Sequence, residues 1–255
     1  MVTPLETHKV VELSAVSFTY PRATRPALLV ESFAMAKGER VFLMGPSGMG
    51  KTTLLGVIAG VNVPQRGEVK VLGQDLRLMS SSARDAFRGK NIGYIFQLFN
   101  LIPYLNVIEN VLIQQDLFGL RSPALMRRAE FLLDHLGLLT ERETPVTELS
   151  VGQQQRVAAA RALVGQPALV IADEPTSALD VQMRGAFLDA LFSLCREENS
   201  ALLFVSHDPG LQSHFDRVVS LPDLNRALQQ QTASRSGTTG SQSGSGPSTE
   251  NQQRV

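Results

Sequence analysis

The chain has 255 residues, 43% of them hydrophobic, enough for one sizeable core or one core with an appended subdomain. Its 24 lysines and arginines balance 24 aspartates and glutamates, so no global basic field points to nucleic acid and no acidic excess to a disordered, solvating chain. The single cysteine, Cys195, rules out an intrachain disulfide and fits a reducing compartment. Residues 1–10 hold no apolar run of signal-peptide length. No stretch reaches the ~18–20 uninterrupted apolar residues needed to cross a bilayer. The longest candidate, 101–120, is broken by Pro103, Asn106, Glu109, Asn110, Gln114, Gln115 and Asp116. A soluble protein is expected, one that relies on another chain for a membrane span if it works at a membrane.

Residues 10–18 alternate loosely and predict a strand ending at Tyr20-Pro21; residues 27–36 predict a second. Lys37-Gly38-Glu39 is a turn that feeds a short apolar strand over 41–44. Then comes Gly45-Pro46-Ser47-Gly48-Met49-Gly50-Lys51-Thr52-Thr53, with a helix starting near Lys51. Strand, glycine-rich loop and helix together match the phosphate-binding pattern G-x-x-x-x-G-K-[ST]. Glycines let successive backbone N–H groups converge on one concavity, and the positive end of the helix aims at the same point. Lys51 would add a charge for the β- and γ-phosphates, and the Thr52 hydroxyl can ligate magnesium.

Residues 64–67 predict a turn, 68–72 a strand, 80–88 a short helix capped by a serine, and 92–96 a strand ending at Gln97. From 98 to about 149 the texture turns helical. Val107, Ile108, Val111, Leu112 and Leu117 recur at helical spacing, as do Leu125, Ala129, Leu132, Leu133 and Leu136, with Gly137 closing the second helix. Alternation then returns: helix over 153–164, strand over 168–172, helix over 181–197, strands over 201–205 and 217–221. This rhythm predicts an α/β fold, a mostly parallel sheet with helices on both faces, interrupted by a helical insertion. From 229 onward Gln, Ser, Gly and Thr dominate, and 229–255 is expected to be disordered.

The strand over 168–172 runs into Asp173-Glu174. Open α/β sheets place ligand chemistry at such strand ends. Asp173 would hold magnesium, directly or through water. Glu174, pointing the other way, would orient and deprotonate an attacking water. Leu149-Ser150-Val151-Gly152-Gln153 opens a helix. Ser150 and Gln153 make a capping box there, or the helix tip is a second phosphate site. Within one chain that tip cannot easily reach the nucleotide of the first loop; it could serve a nucleotide held by another copy.

With these motifs in this order, residues 8–225 resemble the nucleotide-binding subunit of ABC transporters. The resemblance implies a P-loop NTPase core with a mostly parallel sheet, an antiparallel β subdomain and a helical subdomain over about 98–155, all in one domain over 8–228. It implies that Tyr20 stacks on adenine and that 45–53 is the Walker A loop. Gln97 would touch magnesium and the attacking water and relay the nucleotide state to a partner. Ser150, Gly152 and Gln153 would belong to the signature, Asp173 and Glu174 would be Walker B and the catalytic base, Asp180 would lie in the loop that crosses a dimer interface, and His207 would contact the γ-phosphate. His8, His135 and His214 match nothing in the pattern. Cys195 shares a helical face with Phe187, Leu188 and Leu191 and reads as packing.

One position departs from the family: Val151 stands where the signature usually has glycine. A helical φ tolerates valine, whereas a positive φ would strain it; activity is expected to survive. Residues 92–103 with 106–111 look like the branch that releases lipoproteins, exports macrolides or acts in cell division. Family membership would imply ATP and Mg2+ as cofactors and a head-to-tail homodimer that hydrolyses ATP beneath an integral membrane permease. The work would be export or release from the inner membrane, on its cytoplasmic face. An importer subunit and a nucleotide-dependent regulator without transport are the alternatives, and no nucleic acid is expected as partner.

Overall fold

The computed structural model describes residues 8–227 apart from Ser47 and Phe118, and the side chain of Val181 is left out as well. Ser47 of the phosphate loop and the expected tail over 229–255 therefore lie outside the described residues. The chain opens with β1 (Lys9–Phe18), β2 (Leu28–Ala36) and β3 (Arg40–Met44), followed by α1 (Lys51–Ile58). Next come β4 (Arg66–Val71), β5 (Gln74–Asp75), α2 (Ser81–Asn91) and β6 (Ile92–Ile95). The helices α3 (Val107–Leu117), α4 (Pro123–His135) and α5 (Val151–Leu163) precede β7 (Leu169–Asp173). The last elements are α6 (Val181–Glu197), β8 (Ala201–Ser206), β9 (Arg217–Ser220) and the single turn α7 (Leu221–Leu224).

Two sheets form. One is antiparallel, in the order β2-β1-β4-β5. The other runs β6-β7-β8-β3-β9, and every pairing in it is parallel. Residues of β3, β7 and β8 are buried on both faces, which is why these strands read as continuous apolar runs rather than alternating ones. Phe42, Val170, Ala172, Leu202 and Phe204 turn to one face and pack in a cluster with residues of α3, α4, α5 and α6. Val41, Leu43, Leu169, Ile171, Leu203 and Val205 turn to the other, in a cluster with Leu54, Leu55, Val57 and Ile58 of α1 and the antiparallel sheet. The second face is thus covered by α1 and the antiparallel sheet, with Phe87 of α2 and Leu221 of α7 joining them, and not by helices alone as the β/α rhythm predicts.

Parallel strands end on the same edge, and this places the chemistry. Along neighbouring strands, Gln97 lies two residues beyond β6, Asp173 closes β7, His207 follows β8 and the phosphate loop follows β3. Two local expectations need correction. The predicted turn over 64–67 gives way to strand at Arg66, because β1 bulges between Ser14 and Ser17 and lets Arg66 pair with Ser17. The predicted strand over 217–221 stops at Ser220, where Leu221 and Pro222 open α7. Gly93 in β6 sits under α5 so closely that a Cβ there would lie 2.2 Å from the Ala162 carbonyl oxygen. Only glycine allows that approach, which brings α5 against the strand leading to Gln97.

Candidate functional site

A helix start leaves its first N–H groups without intrahelical partners. Side-chain oxygens of Ser80, Ser122, Ser150 and Asp180 fill that role for α2, α4, α5 and α6. At α1 no side chain does so, and no acidic residue stands in its first turn. Its N-cap is Gly50, at a φ of 92°. A side chain there would be strained and would meet the Asn225 amide at 3.1 Å. The phosphate loop thus delivers an uncapped, positively polarised helix end, which suits an anion.

This end opens into a cavity of about 510 Å³ lined by Tyr20, Ala27, Gly48, Gly50, Lys51, Thr52, Thr53, Gln97, Asp173, Glu174 and His207. Lys51 Nζ lies 2.8 Å from Glu174 Oε1, and both side chains are almost wholly buried. His207 Nδ1 lies 2.9 Å from Glu174 Oε2, while most of the imidazole is exposed. Burial pushes the Glu174 carboxyl up, but hydrogen bonds from Lys51 and His207 and their charges outweigh it and hold the group below its ordinary value. Burial and the neighbouring Glu174 charge push Asp173 up, against the pull of Lys51. Adjacent carboxyls are therefore driven apart, the pattern that separates roles in acid–base sites. Glu174 holds a left-handed φ of 48°, fixed by its N–H to the Val205 carbonyl at 2.9 Å. Strained backbone of this kind at a strand end marks functional sites.

Tyr20 packs edge-on against Phe18, and its hydroxyl lies 3.0 Å from Thr53 Oγ1, over the first turn of α1. Gly45, Pro46 and Met49 belong to the same loop without lining the cavity. Ser150, Gly152, Gln153 and Asp180 do not line it either. Ser150 Oγ accepts from the Gln153 N–H at 3.3 Å, and Gln153 Oε1 accepts from the Ser150 N–H at 2.9 Å, so the capping box is present. Val151 opens α5, is half exposed and is absent from the residues with positive φ. Asp180 Oδ1 caps α6 through the Met183 N–H at 2.8 Å.

Some of what shapes the site carries no motif. Ala27 is cavity wall, and Asn225 is buried behind the loop. Arg161 of α5, also buried, donates to the carbonyls of Phe99 and Asn100, which hold φ values of 58° and 50° just beyond Gln97. Arg184 of α6 pairs with Asp208, next to His207. An arginine in an alanine-rich helix and an asparagine after a short turn are too common to stand out. Pairings across many tens of residues leave no spacing to read.

Thr52, Gln97 and Asp173 offer a hydroxyl, an amide oxygen and one carboxylate. Such hard donors suit magnesium, and so few of them suit an ion that arrives with phosphate and keeps waters. Among the described residues no group of three or more His, Cys, Asp and Glu could hold a metal alone.

The sequence profile of the ABC transporter family matches residues 30–177. An uncharacterised ABC transporter ATP-binding protein of Mycobacterium tuberculosis, Rv0986, is 40% identical over 228 residues, covering 86% of this chain and 92% of the relative. The lipoprotein-releasing system ATP-binding protein LolD of Chromohalobacter salexigens is 41% identical over 184 residues, covering 72% and 78%. Among solved structures, the dimeric ATP-binding cassette MJ0796 in a post-hydrolysis state with ADP and phosphate aligns at a TM-score of 0.76. It is 33% identical, with 85% of this chain and 95% of that chain covered. A phosphate loop, paired strand-end carboxyls and a capped second helix tip, on a fold shared with such cassettes, make this chain a member of the ABC transporter ATP-binding family, with relatives in its lipoprotein-releasing branch.

Proposed function

We propose that this protein hydrolyses ATP with magnesium as a head-to-tail homodimer and so drives a separate membrane permease, in export or release of a substrate from the inner membrane. The domain spans 8–228, with 98–155 as a helical subdomain. The observation that carries the reading is the division of the site. Tyr20, Gly48, Gly50, Lys51, Thr52, Thr53, Gln97, Asp173, Glu174 and His207 line one cavity, while Ser150, Gly152 and Gln153, on the tip of α5, do not line it. A second copy, turned over, would bring its helix tip to that cavity, with Asp180 at the join. The dimeric state of the MJ0796 cassette supports this.

In this reading the Gly45–Thr53 loop and the α1 end bind phosphates, with Ser47 and Thr53 completing the cradle, and Tyr20 faces adenine. Thr52, Asp173 and Gln97 would hold magnesium, which supplies charge neutralisation at the phosphates. Lys51 exchanges Glu174 for phosphate when nucleotide enters. Glu174, released, orients water and takes its proton, and His207 turns from Glu174 towards the terminal phosphate. Each phosphate contacted by both chains ties the dimer shut, and loss of those contacts after cleavage lets it open. Among the described residues no helix is long and apolar enough to cross a membrane, so the permease would provide the membrane attachment. An apolar groove of about 550 Å³ beside the cavity, with Val61, Ala59, Ile92, Tyr94 and Phe96 in its lining, offers it a seat close to Gln97.

The test is Glu174→Gln. The variant is expected to bind ATP with magnesium, release no phosphate, and sediment as a dimer with ATP and as a monomer without it. A Glu174→Gln protein that binds ATP and stays monomeric, even with permease supplied, would overturn the dimer.

A further inference from the structure

Asn225 is fully buried just after α7, and its amide is saturated. Oδ1 accepts from the backbone N–H groups of Leu29 at 2.9 Å and Ala227 at 3.2 Å. Nδ2 donates to the carbonyls of Ala27 at 3.0 Å and Met49 at 3.3 Å. Two N–H groups on one side and two carbonyls on the other fix which way the amide faces. Of these partners Ala27 lines the cavity, and Met49 lies between Gly48 and Gly50, which line it as well. Ala27 leads into β2 and is tied by its own N–H to the Phe18 carbonyl at 2.9 Å, two residues before Tyr20. Met49 precedes Gly50, the uncapped start of α1. At the other end of the loop, a Cβ on Gly45 would lie 3.0 Å from Leu221 Cβ, so the segment 221–227 backs the loop twice. A leucine at 225 would close a core without desolvating an amide. The amide instead joins the carbonyl of cavity-lining Ala27 to that of the residue before Gly50.

We propose that Asn225 is a positioning residue for the nucleotide, clasping the wall that carries Tyr20 to the wall that carries the phosphate loop and so setting the span between base and phosphates. The proposal rests on the nucleotide site described above. The 221–227 segment thereby becomes part of the binding machinery although none of its side chains lines the cavity. By linkage, a nucleotide that bridges both walls tightens the clasp as much as the clasp favours the nucleotide.

The decisive variant is Asn225→Asp. Its oxygens can still accept from Leu29 and Ala227, but an ionised carboxylate has no hydrogen for the Ala27 and Met49 carbonyls. Protonation returns one. None of the four partners titrates. The charged groups on the surrounding elements, Asp223, the Arg226–Glu31 pair and the Lys51–Glu174 pair, are shared with the wild type and cancel in a ratio. Binding of a fluorescent ADP analogue to both full-length proteins is measured between about pH 8.5 and about pH 5.5, a range that a carboxyl raised by burial titrates through. The variant is expected to bind about tenfold or more weakly at the alkaline end, with the ratio to wild type shrinking towards one at the acid end. Asn225→Ala is expected to lose a similar factor at every pH.

In the wild type, ADP is expected to slow hydrogen exchange at the Leu29 and Ala227 amides, whose acceptor is Asn225 Oδ1. Variants that melt earlier yet bind with wild-type affinity overturn the proposal, as does a pH-independent Asp ratio or unchanged exchange at those two amides. A wild type that binds no nucleotide would instead sink the site reading itself.

Discussion

At the scale of single residues, Val151 shows how backbone state decides what a substitution means. It occupies the first turn of α5 outside the left-handed region, with its side chain half in solvent. Glycine therefore has no conformational advantage at 151. The two residues' helix propensities differ by only a few tenths of a kcal/mol, so Val151→Gly is expected to leave steady-state phosphate release within about twofold of wild type. A variant many times faster would show that the valine obstructs phosphate contact. Glu174 makes the complementary point. Its position after an apolar strand is legible in sequence, as is its carboxyl. Its left-handed φ and its pairing with Lys51 and His207 are not, because the three positions are linked only by the order of β3, β7 and β8 in the sheet.

At the scale of elements, α5 does more than present its tip. Gly93 lets it press on β6, and Arg161 reaches from its last turn to the loop after Gln97, donating to two carbonyls whose residues hold positive φ. Burial pushes the Arg161 guanidinium pKa down, so these two acceptors must offset its desolvation. Arg161→Ala leaves both carbonyls without this donor and is expected to cost on the order of 2–4 kcal/mol of stability, read as a lower urea midpoint at unchanged slope. An unchanged midpoint would mean that water replaces the guanidinium. Helical and buried-strand periodicities made most of these elements readable from sequence, including α6 over 181–197. The start of β4 and the turn α7 were not readable, since a bulge in β1 sets the first and packing against the phosphate loop accompanies the second.

At the scale of the whole molecule, the neighbouring order of β6, β7, β8 and β3 converts four separate sequence motifs into one site. The phosphate loop and Asp173-Glu174 are legible as local motifs, whereas Gln97 and His207 stand out only through the family resemblance; the convergence of all four is a property of the parallel sheet. The same sheet leaves the tip of α5 out of the cavity lining. If each cavity is completed by the other chain's tip, a lesson for genetics follows. Lys51→Ala spoils the cradle, Ser150→Tyr spoils the tip, and either pure protein is expected to be inert in phosphate release. Blended before assembly, they form mixed pairs in which one cavity takes its cradle from the second variant and its tip from the first, and turnover is expected to reappear. Blends as silent as their components would show that the two defects lie in one indivisible unit. Complementation between broken alleles would thus be the signature of an active site divided between two chains.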